Sequence, residues 1–356
     1  MKTGLKVDQL LDTIIAQNAQ KADYLVDTRC LRMESYDSKI YLHMHENNVE
    51  MLEPLDINQI AHRQFSSHLK IPAAYYDRML TTHPELLAHN VNSWFRREPS
   101  KRMLRTMNGT ARAFLSDRYR RIDNMDIAQA VLPIIGELKD ATVESCQVTE
   151  SRMYIKVVNP RLEAEVVPGD IVQAGVIISN SEVGLGAVSI QPLVYRLVCS
   201  NGMIVNDAQT KRNHVGSITK TDENFLLYSD ATLMAEDKAF VLKIQDTVKA
   251  AVDEARFSQV IGMMKTAKQA TMNTQDVPGI VRLASREFHI TDAESTGVLQ
   301  HLIEGKDLSL YGLSNAITRY SQDIESYDRA TELESIGYDI LSMPQRKWNQ
   351  INQMAA

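Results

Sequence analysis

The sequence predicts an α+β fold, with a mixed, mainly antiparallel sheet and flanking helices over residues 1–220 and a helical region over 221–356. Three observations predict it. β-prone runs punctuated by Gly and Asn crowd residues 101–204, helix-period apolar stripes precede them, and after Lys220 the spacing is helical almost throughout. With 44% hydrophobic and 24% charged residues, the 356-residue chain can bury a full core, which argues against disorder over most of its length.

The elements follow in order. Val7 to Gln20 carries Leu10, Leu11, Ile14 and Ile15 on one helical face. Lys39–His45 alternates as a strand, with a turn at Glu46-Asn47-Asn48 before a second short strand. Asp56 and Gln59 have capping-box spacing ahead of the stripe Ile57, Ile60, Ala61, Phe65 and Leu69, and Ile71-Pro72 ends that helix. Ala73 to Phe95 reads as helix with a break near His83-Pro84. The β-prone runs are Arg102–Met107, Arg112–Ser116, Thr142–Val148, Met153–Val158, Ile171–Ser179 and Val188–Cys199, with one helix, Met125 to Leu138, among them. Asn108-Gly109 between two such runs signals a tight hairpin. Beyond Lys220, Phe240, Ile244, Val248 and Val252 repeat every four residues, and Thr291 and Glu294 make a second capping box. Leu308–Tyr320 and Tyr327–Leu341 supply further helices, and Pro344 closes the last.

Cysteine usage and charge narrow the function classes. Cys30, Cys146 and Cys199 are isolated from one another, which fits neither a disulfide framework nor a zinc site and points to a reducing, cytoplasmic compartment. No window approaches the run of about 18 apolar residues that a membrane span needs. The net charge of -6 is unevenly spread: residues 1–220 hold 26 Lys and Arg against 25 Asp and Glu, and residues 221–356 hold 13 against 20. An acidic helical tail thus follows a near-neutral body.

That body contains one strongly basic stretch, Trp94–Asn124. Nine cations, Arg96, Arg97, Lys101, Arg102, Arg105, Arg112, Arg118, Arg120 and Arg121, face three acids there, with Trp94, Phe95, Phe114 and Tyr119 interleaved. A guanidinium beside an aromatic plane is the pairing a single-strand binder uses, one for phosphate and one for base stacking. Strand periodicity places Arg112, Phe114 and Ser116 on one face. The bland alternative is a set of core aromatics with a solvated arginine rim. Lys211-Arg212-Asn213-His214 forms a second basic loop, and Gly216 lets backbone N–H groups approach an anion there. Arg196, inside an apolar run, needs either solvent or a partner, and Glu182 is a candidate partner.

The remaining motifs argue against catalysis. Ser179–Gly186 lacks the spacing of a phosphate loop and reads as a loop or bulge, with Asn180 and Ser181 bonding local backbone. Asp117, Asp123, Asp126 and Glu182 would serve a two-metal nuclease only if they converged. His43 and His45 share a strand face without a third ligand, Cys199 reads as a buried inert thiol, and no cofactor motif is present.

The run Arg112–Asn124, the segment ISNSEVGLGAV followed by LVYRLVCSNGM within Ile177–Ile204, and His214-Val215-Gly216 together resemble the phage/plasmid-like protein family, domain of unknown function 932. Ile71–Leu80, Asn315–Tyr320 and Arg329–Glu334 are also similar to it, so the resemblance covers roughly residues 50 to 340. It implies a bacterial or phage cytoplasmic protein encoded among replication and recombination genes, and supplies no residue roles. The expected function is non-enzymatic binding of single-stranded DNA by a homo-oligomer. Arg112, Arg118, Arg120, Arg121, Arg196, Lys211, Arg212 and His214 would meet the strand, and Phe114 or Tyr119 would stack. The alternatives are a factor that redirects a host protein, marked by an apolar patch on the tail, and a metal-dependent nuclease.

Overall fold

The computed structural model describes residues 1–46, 49–50, 53–119, 121–186, 188–206, 239, 242–246, 248 and 253–354. The fold is α+β. Helix α1 (Val7–Gln20) buries Leu10 and Ile14 and runs directly into β1 (Lys21–Asp27). Hairpin β2 (Leu31–Tyr36) and β3 (Lys39–Glu46) turns through Asp37 and Ser38 at φ 48° and 63°, and β4 (Val49–Glu50) pairs with β3. The chain then passes β5 (Asp56–Ile57) into α2 (Gln59–His68). Asn58 caps that helix, its Oδ1 accepting the Ala61 N–H at 2.9 Å. The capping box expected at Asp56 is therefore displaced, because Asp56 is engaged in β5.

Helices α3 (Ala73–Thr82) and α4 (Pro84–Arg97) meet at His83-Pro84, where proline opens α4 at a position whose missing N–H costs nothing. β6 (Lys101–Met107) and β7 (Thr110–Ser116) follow, joined by Asn108 and Gly109 at φ 49° and 71°, the left-handed pair a two-residue hairpin requires. They form a four-stranded sheet in the order β1-β6-β7-β5, in which only the β5–β7 pair is parallel. After α5 (Asn124–Glu137) come β8 (Thr142–Val148), β9 (Met153–Glu165), β10 (Ile171–Asn180), β11 (Ser189–Arg196) and β12 (Asn201–Ile204), an antiparallel meander of five strands.

The helical region contains α6 (Glu254–Gln269), α7 (Val277–Glu287), α8 (Asp292–Gly305), α9 (Leu310–Tyr320), α10 (Tyr327–Leu341) and α11 (Gln345–Met354). The Thr291–Glu294 capping box opens α8 as the spacing predicts. Pro344 does not end the helices; it precedes α11, which buries Trp348 and Ile351. Residues 242–246 are helical and Ile244 and Val248 are buried, whereas Phe240 and Val252 lie outside the described residues.

Three apolar clusters organise the molecule. One packs α2–α4 on β6 and β7 through Phe65, Phe95 and Phe114. A second holds α1 and α5 against the meander through Leu10, Ile14, Val131 and Ile155. The third joins Val172, Val194 and Met203 of the meander to Phe257, Ile280, Leu313 and Leu333 of the helices, so sheet and tail share a core across residue 220. Each fully buried aliphatic side chain contributes roughly 1.5–3 kcal/mol. Among the described residues no helix is long and apolar enough to cross a membrane. Cys146 is buried, which pushes its thiol up to about 12. Cys199 is not inside a strand: β11 stops at Arg196, and the half-buried Cys199 thiol lies in the following turn, where Arg196 Nη1 donates to it at 3.2 Å.

Candidate functional site

The basic stretch splits into a buried half and an exposed half. Arg105, on β6, is fully buried. Its Nε and Nη2 donate to the Asp23 carboxylate at 2.8 and 3.1 Å, its Nη2 to Asp123 at 2.6 Å, and its Nη1 to the Glu182 carbonyl at 2.8 Å. Burial disfavours the charged guanidinium, but the two carboxylates outweigh it and hold Arg105 more firmly protonated than an ordinary arginine. Burial likewise works against the Asp123 carboxylate. Arg105, with Lys21 and Arg112 farther out, more than offsets it and keeps the carboxyl below its usual range.

Arg112 was expected on an exposed face beside Phe114, and the structure corrects both placements. Cross-strand pairing runs Arg105↔Ala113 and Thr106↔Ala111, so Arg112 is the extra residue of a β-bulge. A bulge re-aims the side chain it carries. The Arg112 guanidinium turns to Glu182, Nη2 to Oε2 at 2.6 Å, with 9% of the side chain exposed. Phe114 goes into the aromatic core, its ring 4.4 Å from Phe65 and 6.0 Å from Phe95, and is unavailable for stacking a base.

Glu182 is the hub. Its side chain is 2% exposed and accepts from Lys21 Nζ, Arg112 and the backbone N–H of Asn124 at the start of α5. Asn180 Nδ2 donates to the Ile122 carbonyl and to Asn124 Oδ1, and the half-buried Tyr119 hydroxyl donates to the Ser181 carbonyl at 3.1 Å. Two segments far apart in sequence, Arg112–Asn124 and Asn180–Gly184, therefore dock on each other through hydrogen-bonded charges. Glu182 is not the partner of Arg196. That residue makes a two-pronged pair with Asp170 at 2.6 and 2.9 Å, and Asp170 also accepts from the Tyr311 hydroxyl. Arg196 is thus committed to joining β11 with α9.

The exposed half lies at the open end of the β6–β7 hairpin. Arg102 pairs across from Ser116 and Lys101 from Asp27, while Arg96 and Arg97 end α4 just before β6. Arg118 follows two residues beyond β7, in a turn closed by Tyr119 N–H to the Ser116 carbonyl. Arg96, Arg97, Lys101 and Arg118 are exposed and form no ion pair with a described residue. Trp94, 38% exposed, sits on the last turn of the same helix. Arg102 lies 5.3 Å from the Phe114 ring and donates to His68 Nδ1 at 2.9 Å. Burial, then the Arg102 charge, lowers His68 to about 4, so the ring accepts as a neutral imidazole. Arg121 is 59% exposed, 3.6 Å from Asp23. Arg120, Lys211, Arg212 and His214 lie outside the described residues.

At the opposite, closed end of the hairpin is a polar cavity of about 330 Å³. Asn58, Asn108, Thr110, Arg112, Asn124 and Glu182 contribute to its wall. The β8–β9 turn, Thr149–Arg152, forms its far rim and separates it from a second cavity of about 600 Å³ against α10. Asp328 of α10 holds that turn by accepting from the Thr149 and Ser151 hydroxyls. Arg152 reaches across to the Leu185 carbonyl and covers Gly186, where any Cβ would fall 2.7 Å from the guanidinium. Of the four acids considered for a metal, Asp123 and Glu182 are ion-paired with buried cations. No three His, Cys, Asp or Glu side chains among the described residues converge as metal ligands would.

A family model described as a domain of unknown function, DUF932, matches residues 112–337. The chain belongs to the DUF932 family. The DUF932 match begins at the bulged Arg112 and takes in the whole Glu182 segment, the meander and helices α6 to α9, and most of α10. No curated protein and no solved structure matches the chain.

Proposed function

We propose that this DUF932 protein binds single-stranded DNA without catalysing a reaction, through the open end of the β6–β7 hairpin. The observation that carries the reading is that Arg96, Arg97, Lys101 and Arg118 are exposed and form no ion pair with a described residue, whereas the inner arginines are matched by buried acids. Exposed cations not held in an ion pair are the ones that exchange counterions for phosphate. Trp94 beside them offers the stacking plane that Phe114 cannot. The proposed setting is the cytoplasm of a bacterium or phage-infected cell, in phage or plasmid replication or recombination. Assembly as a homo-oligomer would repeat the basic edge along a strand. The host-protein reading finds less support, because Leu242, Ile303 and Met354, the exposed large apolar residues described in the tail, stand on separate helical segments.

A labelled single-stranded oligonucleotide titrated by fluorescence anisotropy over a salt series tests this. Affinity is expected to fall steeply with salt. The triple variant Arg96→Ala, Arg97→Ala, Arg118→Ala is expected to lower the log–log slope by about 0.7 for each phosphate it no longer neutralises. Absence of binding at low salt ends the proposal.

A further inference from the structure

Several sheet edges in this fold are covered from within the chain. The far side of β7 is taken by β5 and by Gln64, whose Oε1 accepts the Phe114 N–H at 2.6 Å. Asn92 of α4 bonds both backbone groups of Met33 on β2, and Leu5 bridges Cys146 on β8 in the same two-way manner. β1, the outer strand of the β1-β6-β7-β5 sheet, is treated differently. Asn108 N–H to the Gln20 carbonyl and Thr28 N–H to the Ser100 carbonyl bracket its ladder with β6. In that register Ala22↔Thr106, Tyr24↔Leu104 and Val26↔Arg102 are the pairs that exchange hydrogen bonds. The N–H and C=O groups of Lys21, Asp23, Leu25 and Asp27 therefore point away from β6, and none of them bonds to a described residue. Every β1 residue except Val26 is at least partly exposed, and Leu25 in the middle of the strand is 62% exposed. The strand has no proline and no bulge to blunt it, and its charged side chains are tied back to Glu182, Arg105 and Arg29.

We propose that β1 pairs with β1 of a second copy of this chain, antiparallel about a two-fold axis through Tyr24. The strand is complementary to itself in that register. All the outward backbone groups find partners, with Lys21 opposite Asp27 of the second copy and Asp23 opposite Leu25. Moving the axis by one residue sets Asp23 against Asp27 or Asp23 against itself, and like charges directly opposite destabilise. A two-fold pairing uses both edges and stops at the dimer, joining the two sheets into one. It gives a surface to the self-assembly included in the proposed function and rests on that part of it alone.

The test is sedimentation velocity of the full chain without nucleic acid, over a concentration series reaching about 100 µM. A concentration-dependent dimer is expected. Leu25→Glu puts a carboxylate opposite Asp23 of the second copy, at a position already in solvent, and should weaken the dimer by about tenfold or more. Circular dichroism of that variant should match the parent. Tyr24→Cys would place its thiol against its own counterpart across the axis, at the close spacing of a pair that exchanges no hydrogen bonds. Mild oxidation should therefore link that variant into a covalent dimer to an extent the parent does not reach. A monomer at every concentration would overturn the proposal and leave the edge to a strand from another protein. A dimer that Leu25→Glu leaves unchanged, or one that Tyr24→Cys fails to cross-link, would overturn it by placing the interface elsewhere. Because no DNA is present, failure here leaves the oligonucleotide salt series untouched, and failure there leaves the dimer untouched.

Discussion

Arg105 and Arg112 share one hairpin with Lys101 and Arg102 and are bracketed in sequence by Arg96, Arg97 and Arg118, yet the two sets have different physical lives. The inner pair is closed off by Asp23, Asp123 and Glu182, with Lys21 completing the neutral set. Of the outer set, Arg96, Arg97, Lys101 and Arg118 are exposed and form no ion pair with a described residue, while Arg102 lies half-buried against Phe114 and His68. What separates them is position along β6 and β7. Toward the middle of the strands the Ser181–Gly184 segment covers the sheet, and a charge under that cover must be matched. At the open end the side chains of Lys101 and Arg118 reach beyond that cover into solvent, and their charge stays exposed. A run of basic residues is therefore no measure of a basic surface.

The sharpest way to break this comparison is to remove the hub. Glu182→Ala leaves Lys21 and Arg112 buried without their carboxylate and strips the Asn124 N–H of its acceptor. Breaking a buried pair from one side costs about 3–5 kcal/mol, and urea unfolding should show a loss of that order. A loss below about 1 kcal/mol would mean that the pair is solvated and that inner and outer arginines are alike.

A smaller effect should appear with pH. Asp123 has a lowered folded-state pKa, so its pairing with Arg105 contributes stability that is fully present above the unfolded carboxylate value of about 3.9 and is lost as pH falls through the folded value. Asp123→Asn should cost about 1–2 kcal/mol at neutral pH, the side chain being 26% exposed and partly screened. The gap between variant and parent should close on acidification. Stability curves that stay parallel down to the acid limb would assign the loss to packing instead of charge.

Local signals in the sequence located much of the fold. Helix periodicity placed Val7–Gln20 and Tyr327–Leu341 to the residue, and Asn108-Gly109 located the hairpin, because in each case the deciding interactions lie within a few residues. The site was far less legible. Arg112 finds Glu182 across 70 positions, and Arg196 finds Asp170 across 26, so the tempting nearby acid was the wrong one. The two-residue period that put Arg112 beside Phe114 fails at a bulge, which leaves no mark in composition. One available signal was the lack of alternation in Ala111–Leu115: a strand covered on both faces reads as nearly continuous apolar sequence, so an arginine within it calls for a buried acid. β1 and β2 escaped notice because mixed polar strands at a sheet edge carry little hydrophobic pattern.

The least effect is expected where the comparison predicts silence. Arg118→Ala removes an exposed guanidinium with no described ion-pair partner, in a turn whose backbone hydrogen bond, Tyr119 N–H to Ser116, does not involve the side chain. Surface changes of that kind stay within about 0.5 kcal/mol. Urea unfolding of Arg118→Ala should therefore overlay the parent curve, in contrast to Glu182→Ala from the same chemical neighbourhood. The result has consequences in both directions. If Arg118→Ala is stable, its cation is one the fold does not use, which is the condition for it to serve a phosphate. If it costs about 2 kcal/mol or more, on the order of a missing buried ion-pair partner, Arg118 belongs with the inner arginines and the open end of the hairpin loses a member of its binding edge.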